Sequence, residues 1–384
     1  MNGIYLDNGA TSFPKAPKVS QSISNYITNI GCNVNRGVYA NSLTAENILF
    51  ETRELICSLF NYDKAENVVF TKNITESLNI IIKGLLKKND HVIISSMEHN
   101  AVMRPLSSLS KKGIEISKVK CNLQGELNPK DILPLIKDNT KAIIMTHGSN
   151  VCGTVLPLEE VGQICKENNL IFIVDTAQTA GFLDIDMKKI NADCITFTGH
   201  KSLLGPQGIG GFVIKDSLIP KTNSLIEGGT GSLSEYEYQP EYMPDKFESG
   251  TMNIPGIYGL NSSLKYLNEI GLNTIREKEL HLTKLFIDKV KNINEATLIG
   301  LDGIKKRTPV VSLDFKNHDN ADIAFMLANE YSIMTRCGLH CAPSAHRTLH
   351  TFPQGTVRFS FGHFNTDKEV AYAIDSIYKS LDSL

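Results

Sequence analysis

An α/β fold is predicted for this chain, with a mostly parallel central sheet in a large domain and a smaller α+β domain at the C-terminus. Three observations carry the prediction. Between residues 67 and 214, short apolar runs alternate with amphipathic stretches, the pattern of strands joined by crossover helices. Beyond Pro255 the pattern changes to long amphipathic helices followed by separated β-like runs. The chain also has 384 residues, too many for one ordinary core. The expected division is a large domain over 15–256 and a small domain over 257–384 that takes in the N-terminal segment 1–14.

In the first region the strands read as 67–70, 91–95, 141–147, 170–175, 194–197 and 211–214. Helices are expected between them at 75–86, 101–112 and 158–168, with a short one at 187–190. In the second region, helices are expected at 257–270, 273–292, 321–331 and 366–381, and β-like runs at 309–315 and 355–361. The stretch 228–245, rich in Gly, Ser, Tyr and Pro, reads as a loop or hairpin excursion. A sheet of this kind binds ligands beyond the carboxyl ends of its strands.

Composition narrows the function. Hydrophobic residues make up 41% and the formal net charge is −2. A globular protein is implied, and a nucleic-acid or membrane-surface role resting on bulk charge is not. No apolar run is long enough to span a bilayer. The opening residues Met1-Asn2-Gly3-Ile4-Tyr5-Leu6-Asp7 lack the basic and apolar regions of a secretory signal. The eight cysteines are scattered without a Cys-x-x-Cys pair, so reduced thiols in a cytoplasmic protein are expected. Cys337 and Cys341 alone lie close together, with His340 and His346 nearby, but the spacing is not a standard zinc pattern and no metal is expected.

Several segments carry chemistry-bearing side chains, and each has a plainer reading beside it. In Thr196-Phe-Thr-Gly-His-Lys201 a lysine follows a buried strand and precedes a glycine-rich turn. Such a lysine can form a Schiff base if burial lowers its pKa; otherwise it is a surface lysine. In Ile171-Phe-Ile-Val-Asp175-Thr-Ala-Gln178 an aspartate ends a strand. It can pair with a pyridinium nitrogen or cap a helix. Met145-Thr-His-Gly-Ser149-Asn150 offers an amide, or a plain polar turn. Thr71-Lys-Asn-Ile-Thr75-Glu76 opens a helix, as a phosphate cradle or an ordinary capped start. Arg336-Cys-Gly-Leu-His340-Cys341-Ala-Pro343 sets a cysteine beside cationic groups, which favour its thiolate. Arg358, inside a β-like run, needs an anion: a substrate carboxylate or a structural acid.

Taken in order, Glu98-His99, Ser149-Asn150, Asp175-x-x-Gln178, Gly-His-Lys201, Arg336-x-Gly-x-His-Cys341 and Arg358 resemble the class V aminotransferase-fold enzymes. The segments Tyr5-Leu-Asp-Asn-Gly-Ala-Thr-Ser and Asn33-Val-Asn-Arg-Gly-Val-Tyr39 add to the likeness. Within that family the chain is most similar to the cysteine desulfurase and selenocysteine lyase branch, especially the SUF-type enzymes, over about residues 4–381.

The resemblance implies a fold-type-I enzyme dependent on pyridoxal 5′-phosphate (PLP). Lys201 would carry the cofactor, Asp175 would meet its ring nitrogen, Gln178 its ring hydroxyl, and His99 would stack on the ring and serve catalysis as a proton shuttle. Thr75, Thr198 and His200 would bind the phosphate. Thr251, in Glu248-Ser-Gly-Thr251, would reach the phosphate in a partner subunit, so a homodimer is implied. Asn150, Arg358 and Arg336 would hold the substrate, with Arg358 on its carboxylate. The implied reaction converts L-cysteine to L-alanine, with a persulfide on Cys341 destined for a sulfur-acceptor protein and iron–sulfur cluster assembly. Selenocysteine lyase and a true aminotransferase are the alternatives on the same fold; a silent scaffold is the alternative outside it. Some positions depart from the SUF-type pattern: Ile74 replaces a hydroxyl, Asn35 and Leu339 replace histidines, and Cys337 replaces a threonine. With Ser344-Ala-His-Arg347 these point to a separate sub-branch.

Overall fold

The computed structural model describes residues 3–34 and 39–383. Its largest sheet has seven strands: β1 (Val68–Thr71), β2 (His91–Ser95), β3 (Glu115–Val119), β4 (Thr140–Thr146), β5 (Ile171–Asp175), β6 (Cys194–Thr198) and β7 (Gly210–Ile214). Their spatial order is β1-β7-β6-β5-β4-β2-β3. The pairs among β2 to β6 are parallel, and β7 runs antiparallel to both β1 and β6. Strands β2, β5 and β6 are buried along their whole length, as befits a sheet covered on both faces. Alternation divides each strand between two cores: Val92 and Ile94 pack on one face and Ile93 on the other.

Edge strand β3 was not expected from the sequence. Its residues Glu-Ile-Ser-Lys-Val are largely open to solvent, so no apolar run announces it. Helices Val19–Asn25 and Ala40–Phe60 were also unread. The inward face of the second includes Ser42, Thr52 and Arg53 beside Ala45, Leu49, Ile56 and Phe60, while Leu43 and Phe50 point outward at 51% and 55% exposure. Polar residues inside and apolar ones outside erase the helical stripe. The short helix expected at 187–190 is a turn. Asn191 adopts φ 51° directly after it, and so brief a run closes no lasting helix. The stretch 228–245 carries no helix or strand.

The C-terminal part forms its own antiparallel sheet from β8 (Ala296–Ile299), β9 (Val310–Phe315), β10 (Arg336–Gly338) and β11 (Thr356–Ser360), in the order β10-β11-β9-β8. Leu6 joins Phe286, Leu313, Phe359 and Ile374 in its core. The chain start is thereby stitched to the chain end: Ile4–Tyr5 pairs with Ile333–Met334, and Asp7 bridges to Ser360. Helix Ile254–Ile270 lends Ile257, Leu260 and Leu264 to the core of the large sheet. A Cβ on Gly210 would lie 2.9 Å from the Asn73 Cα, so glycine there lets β7 lie against the start of helix Ile74–Leu85.

One buried ion pair ties the large sheet to the segment that carries Thr251. Arg53 grips Glu248 with Nη2–Oε2 at 2.7 Å and Nη1–Oε1 at 3.1 Å, both side chains almost fully enclosed. Glu248 Oε1 also accepts from the Phe70 amide at 2.7 Å, and the Arg53 guanidinium lies 4.9 Å from the Phe70 ring centre. Arg53→Ala leaves that carboxylate buried without its counter-ion. The expected cost is roughly 3–5 kcal/mol, read as a lowered midpoint in urea unfolding, whereas removal of the exposed Lys188–Asp63 pair should leave the midpoint nearly unmoved.

Candidate active site

The carboxyl ends of β4, β5 and β6 lie side by side, and the side chains of interest start there. Asp175 is the last residue of β5, paired in register with Thr146 of β4 and Thr196 of β6. It is 2% exposed. Its Oδ1 accepts from the Ala177 amide at 2.8 Å, a local turn contact; no helix starts here for it to cap. Burial pushes its pKa up, only partly offset by that hydrogen bond and by the charge of Lys201.

Lys201 follows β6 in a turn closed by the Leu204 amide on the Lys201 carbonyl, 2.8 Å. Burial lowers its pKa to about 8; Asp175 opposes the shift, while Arg358 and Arg336 add to it. Roughly a tenth of the amine is then neutral at pH 7. The lysine is therefore not a plain surface side chain. His99 caps helix Asn100–Ser110 and accepts from the Ala101 amide at Nδ1, 3.0 Å. That bond leaves Nε2 to carry the proton of the neutral ring. Burial and then the charges of Lys201, Arg336 and Arg358 lower its pKa to about 4, so the ring stays neutral over the physiological range.

Arg358 sits in β11 at 2% exposure. Its Nη2 donates to Asp7 Oδ1 at 2.7 Å and its Nη1 to the Asn150 carbonyl at 3.1 Å, while Nε is buried without a partner. The structural acid expected as one alternative is thus present, and donor capacity remains for a further anion. Arg336 lies directly across from it in β10 and is exposed. Gln178 spends one N–H on the Gly9 carbonyl, 3.0 Å, and the Gly9 amide donates to Ser360 Oγ at 2.7 Å.

Cys341 is the one exposed cysteine among the described residues; Cys32 and Cys337 are half-buried and the other five are buried. His340 and Cys341 both take positive φ, 47° and 58°. Two bonds secure this backbone: the Asn100 amide donates to the Cys341 carbonyl at 2.8 Å, and Asn150 Nδ2 donates to the His340 carbonyl at 2.7 Å. Next to the thiol lies a histidine pair, His340 on Thr356 Oγ1 at 3.0 Å and His346 on Thr351 Oγ1 at 2.7 Å, ring centres 5.5 Å apart. Each ring thus has a threonine partner.

The structure gathers Lys201, Asp175, His99, Arg336 and Arg358 into one electrostatic neighbourhood and ties the Cys341 loop to it. Thr198 Oγ1 and His200 Nδ1 are buried nearby in sequence without partners. Thr75 is exposed at the start of helix Ile74–Leu85, and Ile74 is buried in the core. Thr251 is exposed, in a cleft with Asn33, Gly229 and Met252 that Lys201 does not line. Asn35 lies outside the described residues. Two acids had no role assigned from the sequence. Asp7 holds Arg358 from 351 residues away. Glu98 is fully buried, accepts from Ser95 Oγ and from the Thr146 amide, and is pushed up to about 8 by burial. An acid so soon after an apolar strand was its available signal.

Residues 4–372 match the family model "Aminotransferase class-V". A probable cysteine desulfurase of Pyrococcus abyssi is 34% identical over 99% of this chain and 95% of its own length. One of Methanothermobacter thermautotrophicus is 33% identical over 96% of this chain and 92% of its own. Among solved structures, the apo cysteine desulfurase of Thermococcus onnurineus NA1 superposes with a TM-score of 0.93 at 33% identity, covering 100% of this chain and 95% of that one. The cysteine desulfurase CsdA of Escherichia coli gives 0.90 at 26% identity, with the same coverage.

A depressed lysine pKa can be titrated directly. In the cofactor-free protein, labelling of Lys201 by an amine-directed reagent, followed by peptide mass spectrometry, should rise through pH 8 while exposed lysines respond near 10.4. Asp175→Asn removes the charge that holds the pKa up, so labelling at pH 7 should speed up. A Lys201 midpoint among the surface lysines would contradict the assignment.

Proposed function

The chain belongs to the aminotransferase class-V family, and from that premise we propose that it is a PLP-dependent cysteine desulfurase, converting L-cysteine to L-alanine and retaining the sulfur as a persulfide on Cys341. The observation that carries the reading is an exposed cysteine, held on a tied left-handed turn that is bonded to Asn100 and Asn150, close to a cluster of a lysine of lowered pKa, a buried carboxylate and a buried guanidinium. An aminotransferase has no use for that thiol.

The residues fit the cofactor. Burial pushes the Asp175 pKa up despite Lys201, and a protonated pyridine nitrogen would favour its charged form. Thr198 Oγ1 and His200 Nδ1 are buried without partners, and phosphate oxygens would satisfy them. Lys201 would bind the aldehyde carbon, Gln178 the ring hydroxyl, His99 the ring face, and Thr75 the phosphate with the first amides of its helix. When bound, PLP supplies an electron sink at the substrate Cα.

The chain's own groups do the rest. Arg358 clamps the substrate carboxylate, with Asn150 beside it and Arg336 at the mouth. Lys201 Nζ holds and returns the Cα proton. The Cys341 thiolate attacks the substrate sulfur; as the S–S bond forms, the Cβ–S bond breaks and its electron pair stays with the three-carbon fragment, which is protonated and leaves as alanine. The same reading makes the enzyme a homodimer in which Thr251 serves the partner's phosphate site. Leu43 and Phe50, both exposed and seven residues apart on helix Ala40–Phe60, support an apolar contact face. It also makes the enzyme cytoplasmic and a source of sulfur for an acceptor protein and iron–sulfur cluster assembly. The division into 15–256 and 257–384 with 1–14 belongs to it as well, helix Ile254–Ile270 being a connector packed on the first part.

Product analysis tests the reading. Wild type with L-cysteine and a reductant should release alanine and sulfide in equal amounts. Cys341→Ala should lose at least about 100-fold of that rate and still bind PLP. Survival of cysteine turnover in the variant would overturn the persulfide step, and turnover of selenocysteine alone would favour a selenocysteine lyase.

A further inference from the structure

The two chain stretches that meet at Cys341 carry arginines and no acids. Between Glu98 and Glu115 the chain holds no carboxylate, and between Glu330 and Asp367 it again holds none. These two acid-free stretches come together at the thiol, through the Asn100 amide on the Cys341 carbonyl. Each brings exposed arginines. Arg104 is four residues beyond Asn100 on helix Asn100–Ser110, about 6 Å along its axis. Arg336 is five residues before the cysteine. Arg347 is on the short helix Pro343–Thr348 that follows it, its guanidinium 4.0 Å from the ring centre of Phe352, which is 42% exposed. None of the three arginines forms an ion pair among the described residues. Three guanidiniums without an ion pair and an exposed aromatic ring therefore lie on the two stretches that meet at the exposed Cys341.

We propose that this region is a docking surface for an acidic protein segment whose own cysteine accepts the sulfur. The proposal rests on the desulfurase reading and names the partner's chemistry. Guanidiniums on a rim raise the association rate of an anionic partner and suppress cationic ones, and the Arg347–Phe352 pair adds an apolar contact that a protein segment can cover. In the transfer itself the acceptor thiolate attacks the outer sulfur of the Cys341 persulfide. The new S–S bond forms as the old one breaks, and its electron pair returns to Cys341 as thiolate. Charge and sulfur balance with no outside oxidant or reductant.

The test uses the PLP-loaded full-length enzyme and synthetic peptides with one cysteine flanked by aspartates, by serines or by lysines. Loading with L-cysteine alone should give a burst of one alanine per Cys341. Sulfur transfer should then run about tenfold faster to the acidic peptide than to the serine peptide at low salt, and the gap should close as ionic strength rises. In the Arg104→Ala/Arg347→Ala double variant the alanine burst should persist and the preference should vanish. Equal rates for all peptides in wild type would overturn the proposal. So would a preference that survives the double variant, or mercaptosuccinate taking sulfur as fast as the acidic peptide. Absence of the alanine burst would sink the desulfurase reading, and this proposal with it.

Discussion

A guanidinium buried at 2% exposure holds three distant parts of this chain together. Arg358, in the C-terminal sheet, binds Asp7 from the chain start and the Asn150 carbonyl from the loop after β4. A cation enclosed this far needs its counter-ion, since burial removes the water that would otherwise solvate it. The contact therefore sets where the N-terminal segment, the large sheet and the small sheet meet. Gly9 sharpens the join: a Cβ there would stand 3.4 Å from the Arg358 Cζ and 3.2 Å from Ser360 Oγ. The same backbone passes hydrogen bonds from Gln178 to Ser360. Disturbing any one of these groups shifts the geometry of the others.

Around that join, low dielectric does most of the chemical tuning. Asp175 and Glu98 are drawn toward their neutral forms, and Lys201 and His99 likewise. Burial is the largest cause in every case, and neighbouring charges modify it. A parallel sheet suits this purpose. Its strands end together, so side chains at their carboxyl ends are sunk in protein on three sides and open on the fourth. Helix Asn100–Ser110 starts beside them, its first two amides taken by the Cys341 carbonyl and by His99 Nδ1.

The cysteine loop follows a different logic, because its thiol must stay outside while its backbone stays put. Consecutive left-handed residues at His340 and Cys341 are costly for side chains with a Cβ. The Asn100 amide and the Asn150 side chain offset that cost by anchoring the two carbonyls. Exposure of the sulfur is thus a property the surrounding contacts enforce, and the acid-free composition of both flanking stretches gives it a cationic setting.

Much of this was readable from the sequence alone. Strands β2, β4, β5 and β6 were found within a residue or two because continuous apolar runs allow few other fates, and Asp175, Lys201 and Cys341 stood out by position relative to those runs and by likeness to known enzymes. Elements whose buried face is partly polar, such as Ala40–Phe60, and edge strand β3 were invisible, since periodicity reports burial only when burial is apolar. The sequence by itself determined which residues could carry the chemistry. Only the tertiary structure decided that Asp7 would pair with Arg358, that Glu98 would be sealed from solvent against Ser95 and Thr146, and that Thr251 would line a cleft that Lys201 does not. Those outcomes depend on contacts across hundreds of residues and on the exclusion of water, neither of which a local pattern encodes.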